Sequence, residues 1–156
     1  MTYPLEGGCA CRHVRYRLTS APLFVNCCHC TWCQRETGTA FATNAMIESG
    51  RVELTGEAPV VVVTPSASGQ GQRIARCPDC QVAVWSNYGG GADRVRFVRV
   101  GTLDDPSVLP PDIHIFTTSK QPWVVLPEGA LVVEEYYDAA KVWPKESLER
   151  YQALRG

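Results

Sequence analysis

The chain has 156 residues, of which 45% are hydrophobic, enough for one domain with its own core and too few for two. Its 15 lysines and arginines nearly balance 16 aspartates and glutamates, and a formal net charge of −1 argues against a general nucleic-acid binder. The N-terminal MTYPLEGG lacks the apolar run of a signal peptide, and no segment has the apolar length of a membrane span. We therefore expect a single cytoplasmic domain over residues 1–156 that binds neither nucleic acid nor membrane.

The first third of the chain predicts short strands around a cysteine-rich turn. Residues 9–18 alternate apolar and polar side chains after two glycines, which predicts a strand that starts at a pair of cysteines. Extended chain over 23–25 leads into NCCHCTWCQRETG, residues 26–38, whose polar second half predicts a turn of helix or a loop. An apolar extended run over 40–47 and a strand over 51–55 follow.

The middle of the chain predicts hairpins. A strand over 60–64 is followed by PSASGQG, residues 65–71, a small polar loop that we expect at the exposed tip of a hairpin. Cys77 and Cys80 then occupy the knuckle of another hairpin, in which Pro78 presets the turn.

A loop is predicted at residues 89–91, and RVRFVRVGTL, residues 94–103, is the clearest strand of the chain. We interpret its arginines, Arg94, Arg96 and Arg99, as the solvent-facing side of that strand.

The C-terminal third is less regular. Three prolines exclude regular structure from 104–111, while HIFTTSKQPWVVL, starting at His114, predicts a strand and a turn. His114 is interpreted as an ordinary strand histidine. A last strand is predicted over 130–135, and residues 144–156 have the composition and apolar spacing of a helix. The pattern as a whole indicates a mainly β domain of many short strands with a C-terminal helix.

The second cysteine cluster divides its side chains between two faces. In extended chain, Cys28 and Cys30 point to one side, and Cys27 and His29 point to the other. Cys33 can bind the same ion as Cys28 and Cys30 if the chain turns at Thr31 and Trp32. Three thiolates would leave a zinc position open for water or substrate, as in catalytic sites. The alternative is a second structural zinc closed by Cys27 or His29.

The remaining cysteines form two close pairs, Cys9 with Cys11 and Cys77 with Cys80. Together they supply the four sulfurs of a closed structural zinc site, which would join the N-terminal segment to the middle of the chain. A reducing compartment favours metal ligation over disulfides, and redox or iron–sulfur use is the alternative.

The order of these motifs resembles the glutathione-dependent formaldehyde-activating (GFA) family, which also includes centromere protein V-like proteins. The likeness covers roughly residues 5–127 and rests on CxC, CHCxxC followed by TGT, CPxC before an aromatic strand, and HIF..SK.PWV. It implies an Mss4-like, zinc-stapled β-sheet domain of short antiparallel strands. It also implies two zinc ions (Zn2+), a structural one on Cys9, Cys11, Cys77 and Cys80, and one linked to activity on Cys28, Cys30 and Cys33. The chain departs from the family pattern where Arg12 and Gln81 follow the knuckles in place of glycine.

The resemblance implies an activity like that of S-(hydroxymethyl)glutathione synthase, a carbon–sulfur lyase. Glutathione or another small thiol would add to formaldehyde or another small aldehyde, with Cys28, Cys30 and Cys33 forming the catalytic centre. Glutathione carries two carboxylates, so Arg35 and Lys120 are candidate substrate contacts. The alternative is a non-catalytic zinc-binding carrier of glutathione or a protein-interaction module.

Overall fold

The computed structural model describes residues 1–89 and 93–156, so Gly90 and Gly91 of the loop predicted at 89–91 lie outside the described residues. The described residues form ten strands and three α-helices. In chain order these are β1 Leu5–Gly8, β2 Arg15–Leu18, β3 Phe24–Cys28, α1 Thr31–Thr37, β4 Ala42–Glu48, β5 Val52–Leu54, β6 Val60–Thr64, β7 Gln72–Arg76, β8 Ala83–Tyr88, β9 Val95–Arg99, β10 Ile113–Ile115, α2 Ala139–Val142 and α3 Lys145–Ala153. None of the described helices has the length and apolarity needed to cross a bilayer.

The strands form two sheets. A three-stranded sheet has the order β1-β2-β5, and a seven-stranded sheet has the order β10-β3-β4-β9-β8-β7-β6. Most pairs are antiparallel, as the fold prediction requires, but β10 runs parallel to β3. A parallel neighbour needs a long connection, and most of the chain separates these two strands. The mainly β prediction is confirmed, and β10–β3 is the parallel pair among the strands of the described residues.

Several predicted elements shift at their ends. The strand expected over 9–18 begins only at Arg15, because the preceding residues turn around the first cysteine pair. The strand expected over 130–135 is reduced to a single parallel bridge between Val132 and His114. The C-terminal helix is present as α3, and the hairpin tip predicted at 65–71 does connect the antiparallel pair β6 and β7.

Two clusters of buried side chains form the core. The first contains side chains from both sheets, with Tyr16 packed edge-on against Trp85 at 5.8 Å between ring centroids. The second packs the seven-stranded sheet against the C-terminal segment, where Phe24 stacks on Trp143 at 5.9 Å. This second core brings the end of the chain against the strand that carries the cysteine cluster.

The interpretation of the β9 arginines as a solvent-facing row is wrong for Arg99. Its side chain is only 8% exposed, and it donates hydrogen bonds to Asn44 Oδ1 and to Ser86 Oγ. Arg96 lies over the ring of Trp85, 4.3 Å from its centroid. β9 lies between β4 and β8, and the Arg99 side chain finds one partner on each of these strands, so its guanidinium is hydrogen-bonded within the protein instead of by water.

Candidate metal and substrate site

The structure brings the two cysteine pairs together. The sulfurs of Cys9, Cys11, Cys77 and Cys80, here called the quartet, all lie within 4.8 Å of one another. Cys11 Sγ lies 3.5 Å from the sulfurs of both Cys9 and Cys77. One pair lies in the turn between β1 and β2 and the other in the turn between β7 and β8, so four sulfurs suited to a closed zinc site meet between two hairpins.

The two turns have matching backbones. The amides of Cys9 and Cys77 each donate to the carbonyl five residues ahead, at 3.1 and 3.0 Å. Arg12 and Gln81, which follow the second cysteine of each pair, donate back to the carbonyls of Cys9 and Cys77. Both adopt left-handed backbone, with φ of 68° and 63°. That region favours glycine, so the two residues carry strain of about 1–2 kcal/mol each.

A second group of sulfurs, the trio, consists of Cys28, Cys30 and Cys33. The three sulfurs lie within 4.8 Å of one another. Cys28 ends β3, Cys30 caps α1 and Cys33 lies in its first turn, where its amide donates to Cys30 Sγ at 3.3 Å. The turn that the sequence analysis required after Cys30 is therefore a helix, which Gly38 ends with a φ of 69°.

The sulfurs of the trio shift one another's pKa values. Hydrogen bonds from Cys28 and then Cys33 lower the pKa of Cys30 well below its ordinary value. The bond to Cys30 is the largest cause that raises the pKa of Cys28, with burial adding to it. Three sulfurs this close, two of them buried and that of Cys30 half-buried, hold one thiolate readily but resist a second without a cation. The donor set therefore fits a metal ion.

The trio opens onto a cavity of about 390 Å³. Its aromatic walls are Trp32, Tyr88, Phe97, Phe116 and Tyr136. The loop that follows β6 adds Ser66, Ser68 and Gln70 to the wall. The hairpin tip that the sequence predicted as an exposed loop therefore also forms part of the cavity. A concave, mainly apolar space with a few polar groups is typical of a small-molecule site.

Two cavity residues have unusual local features. Trp32 Nε1 is buried and has no hydrogen-bond partner within the described part of the chain. Phe116 adopts left-handed backbone with a φ of 54°, which is costly for a bulky side chain. An unpaired buried donor and a strained aromatic residue, both on the cavity wall, are features of ligand-binding sites.

Comparison with known proteins identifies the family of the chain. The sequence model of a family described as "Glutathione-dependent formaldehyde-activating enzyme" matches residues 4–119. The chain belongs to the GFA family. A crystal structure of a Rhodobacter sphaeroides protein is similar at 17% sequence identity and a TM-score of 0.48, over 64% of this chain and 88% of that one. A search of curated proteins finds no match.

The family match ends at residue 119, yet the GFA cavity extends beyond it. Tyr136, which lines the cavity, belongs to the C-terminal segment. That segment is held by Arg150 of α3, whose Nε and Nη2 donate to the two carboxylate oxygens of Glu48 at 2.8 and 2.6 Å. Residues outside the family match therefore shape one wall of the candidate site.

The two predicted substrate contacts lie outside the described cavity wall. Arg35 is exposed on α1. Lys120 Nζ donates to the carbonyls of Gln121 and Val124, at 3.1 and 2.7 Å. The pKa of Cys33 is raised overall to about 12: the bond to Cys28 lowers it, but the bond to Cys30 and burial outweigh that effect, and the positive charge of the buried Arg99 is a smaller opposing effect.

A third group of side chains, the far-side cluster, consists of Cys27, His29 and His114. In the parallel register, His114 of β10 pairs with Cys27 of β3, and His29 follows two residues later on the same side as Cys27. His29 Nε2 lies 3.0 Å from His114 Nδ1 and 3.6 Å from Cys27 Sγ. Alternation along the strand predicted that Cys27 and His29 would face away from the trio. It could not show that His114 joins them.

Burial controls the charge of the far-side cluster. Desolvation lowers the pKa of His29 to about 4, with His114 and Lys120 adding to the effect, and desolvation also lowers the pKa of His114. Both imidazoles are therefore neutral at neutral pH. Burial raises the pKa of Cys27 to about 11.

Proposed function

We propose that the chain is a zinc-dependent carbon–sulfur lyase of the S-(hydroxymethyl)glutathione synthase type. Its substrates would be glutathione or another small thiol and formaldehyde or another small aldehyde. The observation that supports this best is that the three sulfurs of the trio lie on the wall of a 390 Å³ cavity. Within a chain of the GFA family, that arrangement suits a metal centre that meets a small ligand.

The two sulfur groups would have different roles. The quartet would hold a structural zinc, because four sulfurs complete its tetrahedral shell. The trio would hold a second zinc, which when bound supplies positive charge that keeps a thiol deprotonated at neutral pH and an open coordination position. Cys28, Cys30 and Cys33 are thus the residues to which we assign the catalytic centre.

The reaction itself needs little from the protein beyond positioning. The sulfur of the thiol forms a bond to the aldehyde carbon, the carbonyl double bond becomes single, and the thiol proton ends on the new hydroxyl. Trp32 Nε1, the unpaired donor of the cavity, would hydrogen-bond the oxygen on which negative charge develops. Burial raises the pKa of Tyr88 to about 12, so its hydroxyl keeps its proton at neutral pH and adds another polar group to the wall.

The carboxylates of glutathione need partners at the ends of the molecule. Ser66, Ser68 and Gln70 offer neutral donors at the cavity wall. We retain Arg35 and Lys120 as contacts for the parts of the tripeptide that extend past the cavity, because each can donate a charge-assisted hydrogen bond to a carboxylate. Replacing either with glutamine should then weaken glutathione binding more than binding of a small uncharged thiol.

A non-catalytic glutathione carrier is the second candidate. Among the described residues that line the cavity, none is a histidine, carboxylate or lysine that could relay a proton. A protein that only stores or delivers the thiol would not need such a group.

The experiment that separates the two measures the exchange of formaldehyde with its glutathione adduct by NMR, with and without the zinc-loaded protein. A lyase should speed the exchange, and Cys30→Ser should return it to the uncatalysed rate. Thr31→Ser is the matched control, since Thr31 is exposed on the same helix and is not part of the described cavity wall. If glutathione binds but the exchange is no faster than without protein, the lyase is excluded and the carrier function is supported.

A further inference from the structure

The far-side cluster is separate from both sulfur groups assigned to zinc. Its donor atoms are one thiol sulfur and two imidazole nitrogens, whereas the quartet and the trio contain sulfur only. The three side chains are buried, with exposures of 1% for Cys27, 0% for His29 and 8% for His114. The ring of Phe41 packs against His29 with 5.4 Å between centroids.

The donor atoms are spaced as ligands of one ion would be. Three ligands spread evenly around one ion, with metal bonds of 2.0–2.3 Å, lie roughly 3.5–4.0 Å apart. The separation of 3.6 Å between Cys27 Sγ and His29 Nε2 falls in that range, and the two nitrogens at 3.0 Å need to part by about half an ångström. All three donor atoms lie within 4.8 Å of one another, which is close enough for one ion to reach each of them.

Charge discriminates between metals for this cluster. One thiolate and two neutral imidazoles carry a total charge of −1, and no carboxylate belongs to the cluster among the described residues. A divalent ion would leave a net charge of +1 among side chains that are almost fully buried. A monovalent ion would leave no net charge, which avoids the cost of burying one.

Ligand type agrees with ligand charge. Zinc takes four ligands, and at the trio the cavity leaves room for a fourth from water or substrate, whereas the far-side cluster offers three ligands and does not line the described cavity. A thiolate selects soft ions such as Cu(I), imidazole suits copper as well, and two histidines with one cysteine form a donor set that copper proteins use.

We propose that Cys27, His29 and His114 form a buried copper(I) site on the face of β3 opposite the trio. The site would take the ion through Cys27 Sγ, His29 Nε2 and His114 Nδ1. It is independent of the lyase proposal, because none of its residues lines the described cavity.

Histidine-ring NMR can test the proposal directly. The chain has three histidines, and Cu(I) is diamagnetic, so each ring nitrogen can be followed as Cu(I) is added to the full-length, zinc-loaded protein without oxygen. We expect one equivalent to shift His29 Nε2 and His114 Nδ1 while His13, which pairs with Asp79 at 3.1 Å, stays unchanged. His13→Gln is the matched control and should keep the same Cu(I) affinity.

Removing one donor should weaken the site sharply. Cys27→Ser should lower Cu(I) affinity by more than the roughly 10- to 100-fold that loss of an outer partner of a metal site costs. His114→Asn serves the same purpose if Cys27→Ser does not fold. Once the quartet and the trio each hold a zinc ion, a third equivalent of Zn2+ should bind to His29 Nε2 and His114 Nδ1 more weakly than Cu(I) does.

Two results would overturn the proposal. Cu(I) that releases zinc and leaves the His29 and His114 resonances in place would have bound to the all-sulfur groups, and the two histidines would then be only a hydrogen-bonded pair. Tighter binding of Zn2+ than of Cu(I) at the two imidazoles would show that the charge argument fails.

Discussion

The quartet and the trio both consist of cysteine sulfurs, but their cysteines are separated by very different distances along the sequence. The quartet joins turns that lie 66 residues apart between Cys11 and Cys77, and its Cys9 and Cys77 are part of the core formed by both sheets. The trio takes all its sulfurs from six consecutive positions, 28–33, and lies on a cavity wall.

This difference in chain separation predicts a difference in role. An ion held by the quartet closes a long loop and fixes two hairpins to each other, so its binding free energy contributes to the stability of the whole fold. An ion held by the trio joins only a strand end to the helix that follows it. Losing that ion should cost function before it costs structure.

The largest effect is expected from Cys77→Ser. Cys77 is fully buried and belongs to both the quartet and the core, so the variant should lose the structural zinc and most of its folded population. Circular dichroism, thermal melting and elemental analysis would show this. A soluble variant that melts cooperatively with two zinc ions would contradict the role of the quartet.

Graded chelation should separate the two ions in the native protein. A chelator of intermediate strength should remove the zinc of the trio first, because three ligands and an open position hold an ion less tightly than a closed shell of four. We expect loss of one equivalent of zinc and of formaldehyde exchange, with the far-ultraviolet spectrum unchanged. Simultaneous loss of both ions and of the fold would show that the two groups are not distinct.

Trp32→Phe should affect the trio side alone. The variant keeps the aromatic wall but removes the unpaired Nε1 donor, so we expect about a 10-fold drop in formaldehyde exchange, equivalent to roughly 1.4 kcal/mol. The melting temperature should stay the same or rise slightly, because the substitution removes a buried donor whose missing hydrogen bond destabilises the folded protein. Trp85→Phe, in the core beside the quartet, is the contrasting variant and should lower the melting temperature instead.

The smallest effect concerns the quartet turns. Arg12→Gly should raise the free energy of unfolding by about 0.5–1 kcal/mol, because relief of left-handed strain exceeds the added flexibility of glycine in the unfolded chain. Denaturant melts of the zinc-loaded protein would measure it. Ala10→Gly, in the same turn but without positive φ, should bring no stabilisation.

The sequence predicted the parts of the site that depend on local geometry. Alternation along an extended segment separated Cys28 and Cys30 from Cys27 and His29, and cysteine pairing indicated the quartet. These arguments depend only on residues that are close together in the sequence. The mainly β class followed from the same kind of local pattern.

The features that sequence reasoning missed all depend on contacts between distant strands. His114 meets Cys27 only because β10 lies parallel to β3 in one register. Arg99 is buried with hydrogen-bond partners on β4 and β8, the strands on either side of β9, which the alternation of its own residues does not reveal. The loop at 65–71 was predicted as a loop, but its contribution to the cavity depends on where the hairpin of β6 and β7 is placed.

The opposite faces of β3 limit how this segment can change in evolution. Side chains alternate with a period of two, so insertion or deletion of a single residue before Cys27 that no bulge absorbs would turn Cys27 and Cys28 to the opposite faces of β3. Cys28 would then point away from the cavity and Cys27 away from His114, so both donor sets would be lost at once. A substitution such as Cys27→Ser or Cys30→Ser removes a donor from only one of them.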